Sequence, residues 1–101
     1  MSGFWGEISG DSVRERAIRL AGALAELSQQ KILLSQNGIS QPVQARVTDL
    51  PGMIEREVAD CGTAFLEAPQ LGARFTLSTD AALWEAPTPQ IADVLRRKFH
   101  M

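Results

Sequence analysis

The chain has no tyrosine, one cysteine and one histidine. One Cys and one His cannot assemble a zinc site of the usual nitrogen and sulfur ligands. A lone cysteine cannot close an internal disulfide, which favours a reducing compartment. Aromatic residues make up only 6% of the chain, so there is no ladder of rings on which single-stranded bases would stack. Basic charge is not in excess. Ten Lys and Arg stand against twelve Asp and Glu, a net charge of −2, so nucleic-acid contact would need a local patch. No apolar run is long enough to span a membrane, and no basic segment followed by an apolar core marks a signal peptide. Glycine-rich phosphate loops, nucleophile elbows and dinucleotide fingerprints are also missing. The expectation is a cytoplasmic protein that is not an enzyme and has no metal, cofactor or small-molecule substrate. Its 101 residues, 45% apolar and 22% charged, are enough for one packed domain and too few for two cores.

What is present is organised around the stretch 11–36. Ser12 and Glu15 have the spacing of a capping box, in which hydroxyl and carboxylate satisfy the first free N–H groups of a helix. Val13, Ala17, Leu20, Leu24 and Leu27 follow at steps of four and three, and Leu34 extends the series. These residues form one apolar helix face, edged by Arg14, Glu15, Arg16, Arg19 and Glu26. Asn37-Gly38 tolerates the left-handed conformation that stops a helix. Unbroken, the helix runs about 25 residues, or roughly 38 Å. A break near Leu27-Ser28 is the alternative, with Ser28 capping a second short helix. A stripe of that length asks for the rest of the chain, a partner or a second copy to cover it.

The first ten residues place Phe4 and Trp5 among glycines. They read as a flexible aromatic arm (1–10) attached to a single compact helix-rich domain (11–101). The two rings either cover one end of the core or dock into a partner, as aromatic anchors do. Segment 39–50 has two readings. As a strand, Val43, Ala45 and Val47 alternate with polar residues. As a helix, which the pattern favours, Ser40 caps, Pro42 sits in the first turn, and Val43, Val47 and Leu50 share a face. Pro51-Gly52 ends this element. A second helix follows over 53–67, with Ile54, Val58, Cys61 and Phe65 on one face, and Gly62 suggests a close crossing against Ala21 or Gly22. Glu55, Glu57 and Asp60 read as its solvated face, and Cys61 as an inert core thiol. Phe75 and Leu77 alternate with polar neighbours in a hairpin over 73–85. The last helix, 89–99, starts from Thr88 and Pro89 and buries Ile91, Val94, Leu95 and Phe99. The expected fold is α+β and helix-dominated: long N-terminal helix, second helix, small β-hairpin, C-terminal helix. If the segment 41–49 pairs with the hairpin instead, the domain becomes a small sheet with helices on one side.

Two functional classes follow. The first is a protein-binding module: an adaptor, inhibitor, regulator or assembly subunit, with a homodimer as one form. Its candidate contacts are the apolar helix face, Phe4 and Trp5, and the basic tail Arg96, Arg97 and Lys98. The bland role of that tail is to complement the helix dipole. His100, beside the C-terminus, is poorly placed for a general base. The second class rests on Gly38-Ile39-Ser40 and Ala45-Arg46-Val47, which resemble the helix-turn-helix of bacterial repressors. The resemblance covers about a fifth of the chain. Leu34, Asn37 and Gln44 depart from it, at positions where a small residue and two apolar residues are usual. It implies a dimeric DNA-binding regulator reading bases with Gln41, Gln44 and Arg46 on a recognition helix over 41–49. Arg14, Arg16, Arg19 or the tail would then meet phosphates.

Overall fold

The N-terminal helix begins where the capping box puts it and stops well short of the full stripe. In the computed structural model, which describes residues 3–27, 31–43 and 48–99, helix α1 covers Val13–Glu26. The Ser12 hydroxyl accepts the Glu15 N–H at 3.1 Å, and the Glu15 carboxylate accepts the Asp11 N–H at 3.4 Å. Leu27 closes the helix, its N–H returning to the Ala23 carbonyl. The chain then extends as strand β2, Ile32–Gln36, and reverses into β3, Ile39–Val43. The reversal is made by Asn37 (φ 55°) and Gly38 (φ 82°). Two consecutive positive φ angles are the signature of the tight hairpin turn whose twist matches its strands.

This hairpin corrects the helix-dominated expectation. The residue pair that would stop a long helix turns a β-ribbon instead, and Leu34 is buried from β2 rather than from α1. The helix-turn-helix geometry is replaced with it. Gln41 lies on β3, opposite Leu34, while Gln44 and Arg46 lie outside the described residues, as do Ser28 and His100.

Helix α2 covers Leu50–Cys61, with Pro51 in its first turn. Pro51-Gly52 therefore starts a helix rather than ending an element, because proline's fixed φ and missing N–H suit that turn. Gly62 adopts φ 87° and donates its N–H to the Val58 carbonyl at 2.8 Å. It is a left-handed helix stop, not a crossing point. Phe65, expected on the helix face, follows this stop in strand β4, Thr63–Ala68. Strands β5, Ala73–Ser78, and β6, Ala82–Ala86, form the expected hairpin, with Leu77 opposite Ala82. Helix α3, Pro89–Phe99, starts with the Thr88 hydroxyl accepting the Ile91 N–H at 3.2 Å.

Segment 1–10, read as a flexible arm, supplies strand β1, Phe4–Glu7. It pairs with β6, and Ile8 anchors the exit by donating its N–H to the Ala82 carbonyl while its side chain is buried. Among the described residues the result is an α+β fold with three helices and a six-stranded antiparallel sheet in the order β1-β6-β5-β4-β2-β3.

Strand alternation decides where the core lies. Ala64, Leu66 and Ala68 of β4, Ala73, Phe75 and Leu77 of β5, and Ala82, Trp84 and Ala86 of β6 are all buried. They meet Leu20 and Leu24 of α1, Ile54 and Val58 of α2, and Leu95 and Phe99 of α3 in one cluster. Phe75 and Phe99 touch edge to face, with centroids 6.5 Å apart. The α1 stripe is thus consumed inside its own domain. Among the described residues, no helix is long and apolar enough to cross a membrane.

Candidate functional site: the uncovered face of the sheet

Every second residue of β4, β5 and β6 points away from the helices, because successive strand side chains alternate between faces. Those residues are Thr63, Phe65 and Glu67, then Arg74, Thr76 and Ser78, then Leu83 and Glu85. Register adds Trp5 beside Glu85 and Glu7 beside Leu83 from β1. On the other side it adds Leu33 of β2 beside Glu67.

Two rows of side chains therefore cross the sheet. One reads Trp5, Glu85, Arg74, Glu67, Leu33; the other reads Glu7, Leu83, Thr76, Phe65. The rows lie two residues apart along the strands, roughly 6.8 Å. Large apolar groups stand in solvent here: Trp5 is 65% exposed, Phe65 52% and Leu83 37%. The Arg74 guanidinium lies 3.9 Å from the Glu67 carboxylate and faces Glu85 across the strand pair. A shallow cleft between the rows is lined by Phe65, Glu67, Arg74, Thr76 and Glu85.

A buried polar bracket behind the sheet supports Phe65. Glu57 of α2, expected on a solvated face, is almost fully buried. Its two carboxylate oxygens accept the Asn37 N–H at 3.0 Å and the Gly38 N–H at 3.1 Å. A tight two-residue turn leaves the N–H groups of its central residues outside the strand ladder, and Glu57 satisfies both. Burial alone would push the Glu57 carboxyl up. The Gly38 and Asn37 amides, with help from the Cys61 thiol and the Ser35 hydroxyl, overcome this and hold it below the ordinary carboxylate value. The Ser35 hydroxyl also accepts the Phe65 N–H at 2.9 Å. One chain of contacts thus runs from α2 through the hairpin to the backbone of an open-face residue.

Cys61 belongs to the same cluster but is exposed rather than core. Desolvation, followed by the Glu57 and Asp60 carboxylates, pushes its thiol up. A thiol shifted in that direction is a poor nucleophile, and Glu57 is already committed to two backbone amides.

The predicted contact residues separate. Phe4 pairs with Ala86 on the helix side of β1, whereas Trp5 joins the open face. Arg96 lies over the Trp84 ring, 5.8 Å from its centroid, and holds Asp93 at 3.1 Å. Lys98 pairs with Glu26 at 2.5 Å, and Arg97 is exposed. Trp5 and Arg96 both line one shallow cleft at the β1 edge, with Gly6, Trp84 and Phe99. Two of the proposed phosphate contacts are occupied otherwise. Arg14 pairs with Glu55 at 2.9 Å. Arg16 is buried and donates to the Gly10 carbonyl at 2.8 Å and the Thr79 carbonyl at 2.6 Å.

Leu33, Phe65, Leu83, Glu67, Arg74 and Glu85 were not singled out from the sequence. The 73–85 hairpin carries the alternation for three of them, but alternation alone does not tell which face is covered. Comparisons with protein families, curated proteins and solved structures give no significant match, so the geometry of the chain carries the functional reading.

Proposed function

We propose that this chain is a protein-binding module, an adaptor, regulator or assembly subunit, that docks a partner on the uncovered face of its sheet. One observation carries the reading. Three helices cover one face of the sheet, and the other presents Trp5, Phe65 and Leu83 to solvent around an ordered charged row. Aromatic side chains held on rigid strands anchor interfaces well, because little conformational freedom is lost when they are covered.

The contact surface differs from the one the sequence suggests. The apolar helix face is internal, so docking moves to the sheet, with Trp5 retained and Phe4 turned to the helix side. The polar cluster at Ser35, Glu57 and Cys61 supports binding over catalysis, since its carboxylate is bound to backbone amides. A cytoplasmic setting belongs to the same reading.

The test is site-specific cross-linking in the native cells. A photo-reactive residue placed at position 65 should capture a discrete partner, and the same residue at exposed Arg56 of α2 should not. Capture from position 56 with none from position 65 would sink the proposal.

A further inference from the structure

The charge on the open face defines what it accepts. Among the described strand residues of that face, Glu7, Glu67 and Glu85 stand with Arg74 as the one cation, a net −2. Arg74 lies nearest Glu67 and faces Glu85 only by register, so the surplus is carboxylate. Two such faces brought together would set like charge against like, which argues against a second copy stacked face to face. Neutralisation from outside requires Lys or Arg.

Spacing defines the rest. Leu83, Thr76 and Phe65 lie on neighbouring strands, roughly 4.8 Å apart. A helix laid across those strands repeats every ~5.4 Å, so successive turns fall over successive strands. Apolar side chains on one line of such a helix would meet Leu83 and Phe65, and basic ones on the adjacent line would reach Glu85 and Glu67.

We infer that the uncovered sheet face binds an amphipathic helix of a partner protein, with large apolar side chains along one line and Lys or Arg along the next. This inference rests on the open face being the docking surface. It deepens that reading by naming the chemistry of the partner.

The probe is a display library of random 16-residue peptides selected on the immobilised full chain. Enriched peptides should combine Leu, Ile, Phe or Trp with Lys or Arg. A synthesised winner carrying a fluorescent label, titrated by anisotropy, should bind on the order of tenfold more weakly to Phe65→Ala. Selection on the Glu67→Lys/Glu85→Lys double variant should shift the winners toward Asp and Glu. Glu67→Gln/Glu85→Gln, a milder change, should only remove the basic preference.

Peptides that need Phe65 but carry no excess of Lys or Arg would overturn the inference and leave the docking surface standing. Peptides that bind Phe65→Ala and Trp5→Ala unchanged would overturn both. An empty selection, or a dimer in sedimentation that Phe65→Ala abolishes, would also overturn the inference, and the dimer would make a second copy the occupant.

Discussion

The two faces of one sheet follow the same strand alternation and end in opposite conditions. On the covered face, Leu66, Phe75, Leu77 and Trp84 are at most 2% exposed and packed under three helices. One residue away along the same strands, Phe65 and Leu83 stand in solvent beside Glu67, Arg74 and Glu85. Burial on the first face holds the fold together. On the second, removing a large apolar group takes away little that folding needs. Stability and binding should therefore come apart by face, and substitutions can check this.

Phe75→Ala should have the largest effect, a loss of about 3–5 kcal/mol, because it empties a packed site that also touches Phe99. Chemical denaturation measures it; a loss below ~1 kcal/mol would mean the helices do not cover this face as described. Gly6→Ala should come next. A Cβ at Gly6 would overlap the Trp84 indole that lies against β1. Overpacking of that kind costs about 1–3 kcal/mol, read as a lower denaturation midpoint. An unchanged midpoint would show that β1 can lift from β6, returning the first ten residues to a loose arm.

Glu57→Gln probes the bracket behind the open face. The Glu57 carboxyl sits below its ordinary value in the folded chain. Its stabilising contribution is therefore present above the unfolded carboxyl pKa of about 4.3 and is lost as pH falls through the folded value. The melting temperature of the variant should trail the wild type by several degrees at pH 7, and the gap should close in acid. A gap that stays constant from neutral to acid pH would show that the loss does not depend on Glu57 being ionised.

Phe65→Ala should have the smallest effect on stability, within about 0.5 kcal/mol, as for an exposed site. The same variant should lose partner capture. A large stability loss would mean that Phe65 belongs to the core and that the contrast between the faces is false.

Several elements were legible because they depend on neighbours in the chain. Ser12 and Glu15 start α1, Thr88 and Pro89 start α3, and Phe75 and Leu77 alternate in a strand, each by contacts within a few residues. Where the reading failed, one residue pair suited two structures. Asn37-Gly38 accepts left-handed angles, which serve a helix stop and a hairpin turn equally well. Leu34 continued a helical series by coincidence of spacing. Phe65 fell on a helical face only because Gly62 was counted inside the helix. The open-face set stayed hidden for a related reason, since alternation separates two faces without saying which one other elements will cover.

What the sequence alone determined is local: where helices start, which segment forms the β5–β6 hairpin, and that one Cys and one His are too few for an internal disulfide or a zinc site of the usual nitrogen and sulfur ligands. Tertiary structure decided the remainder. Asn37-Gly38 becomes a hairpin turn because β2 finds β4 and because Glu57, twenty residues away, accepts the two amides that the turn leaves free. Phe4 and Trp5 become a strand because β6 offers an edge. The docking face exists because all three helices pack on one side. Each of these outcomes depends on distant groups satisfying one another's hydrogen bonds or covering one another's apolar surface, and no local pattern records such pairings.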